Sequence, residues 1–324
     1  MDPTLLREID AFLQAHESFC VLSHIRPDAD ACGTALAFAL SLEAKGKRVR
    51  VFNQDSLPET LRFLPGSERV EKTPAEPVGP ETGVICVDTS TLERTGETFL
   101  SWNRKPDLNL DHHASNPGYA RINLVDDTSP AASQTLFEVI EKLGLPCPPE
   151  AAANLYAGIM TDTGSFRYRQ TTVRTFEVAA QLVRRGADPS LAAQQCFQTV
   201  SPAAFRLLRE AMNGTRFAFG DRVAYYHLTP DLYARTGAKP EEVENFLDPL
   251  RSVRTVEVAF MLEQVEGGKI RASLRSRARV DVNAIAAQFG GGGHRLAAGF
   301  RSSKPLAELE AALLQAIGNA LPQD

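Results

Sequence analysis

The chain has 324 residues, 43% of them hydrophobic and 23% charged, with a formal net charge of −5; this implies about two domains, each with its own core. Its apolar runs, such as Val84 to Val87 and Val256 to Leu262, are strand-sized and well short of the roughly 18 residues that a membrane-spanning helix needs. A protein that grips long nucleic acid usually carries a basic face; this balance does not exclude nucleic acid but favours a small or short anionic substrate over a long duplex.

The N-terminal residues Met1-Asp-Pro-Thr-Leu-Leu-Arg-Glu contain no basic segment followed by an apolar one, so a cytoplasmic protein without membrane contact is expected. Phe19-Cys-Val-Leu-Ser reads as a short buried strand ending at His24, and Thr34 to Lys45 as an Ala/Leu-rich helix stopped by Gly46. Arg48 to Phe52 is the next strand, Gly83 to Val87 a third ending at Asp88, and Asp107 to Leu110 a fourth ending at Asp111. Strands alternating with helices imply a doubly wound, mostly parallel sheet of the α/β class. Ligands bind such sheets at the carboxyl ends of the strands. That is where His24, Asp88 and Asp111 fall.

Helical spacing then runs through Ala131 to Lys142, Glu150 to Met160 and Val173 to Arg185. Gly186-Ala-Asp-Pro breaks the pattern, and Ser190 to Met212 reads as connecting helix around Ser201-Pro202. A smaller C-terminal α/β domain is expected from about Gly214. Its strands lie at Thr215 to Phe219, Arg222 to His227, Thr255 to Val265 and Lys269 to Arg275, with a hairpin turn at Gly267-Gly268. Its helices lie at Glu241 to Leu250, Val282 to Phe289 and Leu306 to Ala320. The expected organisation is a metal-binding catalytic domain over 1–186, a helical connection over 187–213 and a substrate-binding domain over 214–324. The five cysteines show no CxxC pair and read as reduced, mostly buried thiols. His16 is expected on an exposed helix face, His227 half-buried in a strand, and Trp102 in a polar loop without a base-stacking role.

Four segments carry metal-competent side chains. His24-Ile-Arg-Pro-Asp28-Ala-Asp30 places three within seven residues before a helix. Taken alone, an Asp there could equally cap that helix. Asp88 closes one strand and Asp111-His112-His113 another, while Asp162 sits where an apolar helix meets a Thr/Gly turn. Together, four carboxylates and two histidines suffice for two octahedral ions if one carboxylate is shared. Oxygen-rich donors of this kind suit Mn²⁺ or Mg²⁺ better than a structural zinc. Two such ions about 3.5–4 Å apart can activate water and clamp a phosphoryl group. Downstream, the run Gly290 to Gly293 before His294 could let backbone N–H groups cradle a phosphate. Arg275, followed by Ser276 and Arg277, could grip one with two N–H groups.

In this order and spacing the motifs resemble the DHH phosphoesterase superfamily. Gly290-Gly-Gly-Gly-His294 with Ala297-Ala-Gly299 resembles the substrate-binding motif of its DHHA1 subdomain. The resemblance runs from about residue 15 to 320. The compact two-part layout is similar to the bacterial nano-RNase and pAp phosphatase branch.

The resemblance implies one divalent ion, most often Mn²⁺ with Mg²⁺ or Co²⁺ as alternatives, held by His24, Asp28 and Asp88. A second would be held by Asp30, Asp88, His112 and Asp162, with Asp88 shared. It implies that Asp111 orients a ligand histidine and that His113 faces the scissile phosphate, as charge stabiliser or as proton donor. Arg275, Ser276, Gly291, Gly292, Gly293 and His294 would hold the far end of the substrate. The implied reaction is hydrolysis of short oligoribonucleotides from an end, and of 3′-phosphoadenosine 5′-phosphate (pAp) to AMP and phosphate. Short single-stranded RNA or DNA and small nucleotides are the expected partners. No stable protein partner is implied, and a homodimer stays open. The alternatives are a phosphodiesterase for pApA or cyclic di-AMP and, in a different class, a non-catalytic nucleotide sensor. A pyrophosphatase of the superfamily would carry a different C-terminal domain.

Overall fold

Six parallel strands order the N-terminal half in the computed structural model, which describes residues 1–243 and 245–322. The chain divides into two units, Met1–Thr199 and Val200–Asp324. The first contains α1 (Pro3–Ala15), β1 (Ser18–Leu22), α2 (Ala29–Glu43), β2 (Arg48–Asn53), β3 (Val70–Lys72), β4 (Thr82–Val87), α3 (Glu97–Ser101), β5 (Leu108–Asp111) and β6 (Ile122–Val125). Helices α4 (Ala132–Leu143), α5 (Pro149–Asp162), α6 (Val173–Arg184) and α7 (Pro189–Phe197) follow.

The sheet order is β3-β2-β1-β4-β5-β6, so the winding reverses between β1 and β4. Residues 19–22 and 83–87 are buried throughout, which accounts for their continuous apolar runs. The topology opens a crevice at the carboxyl ends of β1 and β4.

Helix α2 begins at Ala29, five residues before the expected start at Thr34, so Asp30 lies in its first turn. Nearly every side chain of α2 is buried, because small residues let other elements pack around it on all sides. Its Gly33 meets α5 so closely that a Cβ there would stand 2.5 Å from the Asn154 carbonyl oxygen. The strands β3 and β6 and the helices α1 and α3 are additional to the sequence reading. Trp102 is buried rather than set in a polar loop: its indole N–H donates to the Pro74 carbonyl, and its ring packs on Phe99. His16 is a half-buried C-cap against Phe12, not an exposed helix residue. Among the described residues no disulfide forms, and no helix is long and apolar enough to cross a membrane.

The second unit contains α8 (Pro202–Asn213), β7 (Arg216–Ala218), β8 (Val223–Leu228), α9 (Pro230–Thr236), α10 (Asp248–Ser252), β9 (Val258–Gln264) and β10 (Ile270–Ser276). It closes with α11 (Val282–Ala287), β11 (Gly292–His294), β12 (Ala297–Ser302) and α12 (Leu306–Ala320). Its sheet order is β11-β12-β10-β9-β8-β7, parallel only between β8 and β9. One face carries a core with Leu309, Leu313 and Ile317 of α12, spaced four apart. The other carries Ala204, Leu207 and Ala211 of α8. The segment 187–213 is therefore shared out, α7 packing in the first unit and α8 forming part of the second unit's core. The helix expected over Glu241 to Leu250 is a 3₁₀ turn at Pro240–Glu242 and the short α10. Pro249 forces this, since a proline fits the first turn of a helix but not its interior.

Candidate metal centre and active site

Five elements deliver the side chains. His24 lies just beyond β1, Asp28 caps α2 and Asp30 occupies its first turn; Asp88 follows β4, and Asp111 ends β5 with His112 and His113 directly after it. Asp162 ends α5. Asp88 adopts a left-handed backbone with φ 48°, which Asp tolerates better than most residues, and its N–H donates to the Leu110 carbonyl at 2.9 Å.

The geometry forms three groups at Asp88: one with His24, one with His112, and a third in which Asp88 meets Asp111 and His113, whose Nδ1 stands 3.7 Å from Asp88 Oδ1. His24 Nε2 stands 3.6 Å from Asp28 Oδ2 and 3.5 Å from Asp88 Oδ2. His112 Nε2 stands 3.3 Å from Asp88 Oδ1, 3.4 Å from Asp162 Oδ2 and 3.9 Å from Asp30 Oδ2. One oxygen of Asp88 thus faces the His24 group and the other the His112 group. Asp88 Oδ1 is buried and accepts no hydrogen bond among the described residues, which is costly unless a cation satisfies it. His24, Asp28 and Asp88 have donor atoms within 4.8 Å of one another, as do Asp30, His112 and Asp162. The donor set, carboxylates with imidazoles, fits hard divalent cations.

Charge follows this arrangement. Burial opposes the imidazolium of His24, yet hydrogen bonding to Asp28 and the Asp88 charge raise its pKa to about 10. Burial likewise opposes the charged form of His112, and Asp88 outweighs it, raising the pKa well above the ordinary value. Burial would raise the Asp88 carboxyl, but His112 and His24 hold it well below the usual carboxylate range. Burial and the charge of Asp88 push Asp30 up to about 6. Burial and the charge of Asp30 push Asp162 well above its usual range. Protons on His24, His112 and Asp162 are what an entering cation must displace.

Asp28 serves both of the roles left open by the sequence. Its Oδ1 accepts from the Ala31 N–H at 2.9 Å as a helix cap, while Oδ2 faces His24. Asp30 has a second task that was not foreseen. Its oxygens accept from the N–H groups of Ala132 at 2.7 Å and Ser133 at 2.9 Å. They cap α4, whose own N-cap residue, Ala131, supplies no side-chain acceptor. Gly158 makes room for this: a Cβ there would stand 2.1 Å from Ser133 Oγ and 2.6 Å from Asp30 Oδ1. Gly158→Ala is expected to cost about 1–3 kcal/mol by overpacking and to reduce turnover with it, read by thermal melting and initial rates. An unchanged melting temperature with full turnover would show that α5 yields without moving Asp30.

The expected role of Asp111 needs a correction. It orients His113 rather than the ligand-type His112: Asp111 Oδ1 accepts from His113 Nδ1 at 2.7 Å. His112 Nδ1 instead faces the Ser129 carbonyl at 3.3 Å, which leaves Nε2 for the carboxylates. Asp111 Oδ2 accepts from Asn116 at 2.6 Å, and Asn116 also reaches Asn109 and the Thr89 carbonyl. His24 Nδ1 lies 2.9 Å from the Ile25 carbonyl and 3.1 Å from an Arg94 Nη. It cannot donate to one and accept from the other at once. The shorter contact has Nδ1–H donating to Ile25 and leaves the Nε2 lone pair facing Asp28 and Asp88. Arg94, in a short 3₁₀ turn, and Asn116, in a loop, were missed because single polar residues there carry no spacing signal.

In the second unit, Arg275 is half-buried on β10, its guanidinium donating to the Leu274 carbonyl at 3.1 Å. Ser276 is fully buried and donates to Glu257 at 3.1 Å, so its hydroxyl is not offered to a ligand as expected. The glycine run also differs. The N–H groups of Gly290 and Gly291 donate to the Ala287 and Ala286 carbonyls and close α11. Gly292, Gly293 and His294 form an edge strand paired with Gly299, Ala298 and Ala297. A Cβ on Gly291 would stand 2.3 Å from the Gly299 carbonyl oxygen, and one on Gly293 2.5 Å from that of Ala297. The glycines allow close strand approach, and the expected backbone cradle is absent at 290 and 291. His294 remains half-buried at the end of β11.

Residues 18–159 match the DHH family N-terminal domain, and residues 220–321 match the DHHA1 domain. The chain belongs to the DHH family. Among DHH relatives, the bifunctional oligoribonuclease and PAP phosphatase NrnA of Thermus thermophilus is 32% identical over 86% of this chain and 82% of its own length. The probable bifunctional oligoribonuclease and PAP phosphatase NrnA of Streptococcus mutans is 28% identical, covering 95% and 96%. A solved exopolyphosphatase-related protein from Bacteroides fragilis shares the fold with a TM-score of 0.87 at 22% identity, covering 98% of this chain and 96% of the other. The exonuclease RecJ of Thermus thermophilus, solved with Mn²⁺, has a TM-score of 0.57 at 16% identity, covering 99% of this chain and 55% of RecJ.

Proposed function

We propose that this chain hydrolyses short oligoribonucleotides from an end and converts pAp to AMP and phosphate. The observation that carries this reading is Asp88, with one carboxylate oxygen facing each of two separate His/Asp groups. Relatives aligned over most of their own length bear the names of both activities. Residues His24, Asp28 and Asp88 would hold one divalent ion, and Asp30, Asp88, His112 and Asp162 the other. Mn²⁺ is the preferred ion, as in the RecJ structure, with Mg²⁺ or Co²⁺ as substitutes. When bound, such ions activate water and neutralise charge on the phosphoryl oxygens.

The chain's own residues do the remaining work. Asp111 and Asn116 fix the His113 ring so that one nitrogen faces the reacting phosphate, where it stabilises charge or gives a proton to the leaving oxygen. Arg275 and His294 hold the distal phosphate or sugar. The reaction belongs in the cytoplasm, where such nucleotides arise.

A product-resolved panel in Mn²⁺ tests this: pAp, RNA of about three and about 24 nucleotides, pApA, cyclic di-AMP and pyrophosphate. With a net charge of −5 the protein neutralises few phosphates, so kcat/KM is expected to fall by at least about tenfold from the short RNA to the long. Equal kcat/KM on both RNAs, or turnover of pyrophosphate alone, would overturn the reading.

A further inference from the structure

Arg94 carries a charge that no carboxylate among the described residues pairs with. It lies half-buried in the 3₁₀ turn Leu92–Thr95 that follows Asp88. The backbone of that turn is fixed against the metal-competent loop. The Ile25 N–H donates to the Arg94 carbonyl at 2.7 Å, and the Arg94 N–H donates to the Thr91 carbonyl at 3.1 Å. Thr95 is buried, and its hydroxyl donates to the Leu92 carbonyl at 2.6 Å. The base of the Arg94 side chain is therefore held in place beside His24.

The guanidinium has one close polar neighbour among the described residues, His24 Nδ1 at 3.1 Å. That contact is not a hydrogen bond while Nδ1–H donates to the Ile25 carbonyl at 2.9 Å, because a protonated ring nitrogen has no lone pair left to accept with. A histidine that offers one nitrogen to a metal donates from the other, so loading the site keeps the proton on Nδ1 and leaves Arg94 without an acceptor there.

Three carboxylates are near enough to act on Arg94. Burial lowers the pKa of its guanidinium, and the charges of Asp28, Asp88 and Asp55 oppose this. Each carboxylate is engaged elsewhere. Asp28 caps α2 and faces His24, Asp88 faces His24 and His112, and Asp55 accepts from the Arg26 N–H at 2.7 Å. Arginine stays protonated in proteins, and a half-buried cation without a hydrogen-bonded acceptor is costly. Cations bound at Asp28 and Asp88 would neutralise those two charges as well, so the missing acceptor is an anion from outside the chain. The Asp28 side chain is 37% exposed, which leaves this side of the centre open to one.

We propose that Arg94 is a further substrate-binding residue, donating to a phosphate oxygen that lies against the His24 side of the centre. Its N–H donors form a planar fork that matches phosphate oxygens. The substrate class, a phosphate ester, rests on the functional reading above; the choice of residue rests on the geometry.

The test saturates the full chain with Mn²⁺ and titrates inorganic phosphate by calorimetry, a product of the proposed reaction that cannot itself be hydrolysed. Arg94→Ala is expected to weaken phosphate binding about tenfold, the loss of one charge-assisted contact. Arg94→Lys keeps the charge but not the fork and should recover part of the loss. Mn²⁺ affinity separates substrate binding from support of His24. Removing a like charge beside a cation site should leave Mn²⁺ affinity unchanged or slightly higher, whereas removing an arginine that only props His24 would lower it. Weaker Mn²⁺ binding in Arg94→Ala, unchanged phosphate affinity, or failure of phosphate to bind the wild-type chain would each overturn the assignment. A chain that binds phosphate through Arg94 but hydrolyses nothing in the panel refutes the functional reading and leaves the residue assigned. Equal kcat/KM on pAp for the wild type and Arg94→Ala keeps the function and refutes the residue.

Discussion

Asp88→Ala is expected to abolish turnover, with a loss of about 10³–10⁴-fold or more. The size follows from the charge stabilisation of several kcal/mol that metal ions supply at a phosphoryl centre, at 1.36 kcal/mol per tenfold in rate. Among the described residues Asp88 has one oxygen facing the His24 group and the other facing the His112 group, so its removal should weaken two cation sites together. His112→Ala removes a donor from the Asp30 and Asp162 group alone and should weaken one. Calorimetric titration with Mn²⁺ separates the cases through stoichiometry and affinity. Two ions bound to Asp88→Ala with wild-type affinity would show that the carboxylate is not shared.

His113→Ala is the second large effect expected, about 10²–10⁴-fold in kcat, the range for a positioned acid, base or charge stabiliser. Cation stoichiometry should not change on the proposed assignment, since His113 Nδ1 is engaged by Asp111 at 2.7 Å and the ring belongs to neither the His24 nor the His112 group, only to a third with Asp88 and Asp111. Asp111→Asn tests the support separately. It keeps the shape but can present an N–H to His113 Nδ1, which would turn the ring or change its tautomer. A loss on pAp comparable to that of His113→Ala, with metal binding intact, is the expected result. If His113→Ala instead releases an ion, the ring is a ligand and the division between metal binding and catalysis is misplaced.

The parts of the site that the sequence made legible are those in which chemistry and architecture coincide. Three buried strands ending in His24, Asp88 and Asp111 are readable because a parallel sheet gives continuous apolar runs and gathers ligands at their carboxyl ends. Asp162 was legible only through the motif order, since an Asp at a helix end has many uses. The pairing of Asp30 with the α4 N-terminus joins residues 102 apart, and no local pattern encodes such a contact. Strands β3, β6 and β11 have three or four residues each, too few for an alternation to register. The glycine run misled for a definite reason. Glycine permits both an anion cradle and a tight backbone approach, and composition alone does not tell which of the two a fold uses.

The order in which the ligands occur along the chain has a consequence for biosynthesis. Five of the six metal-competent residues lie between His24 and His112, but Asp162 ends α5, a further 50 residues on. Helix α5 also packs against α2 through Gly33 and Gly158, so Asp30 reaches its final setting only when α5 is in place. A nascent chain that has not yet extruded α5 from the ribosome lacks the last carboxylate and the support for another. On the proposed assignment the second donor group therefore closes late in translation, and premature release before residue 162 would yield a product that lacks one of its carboxylates.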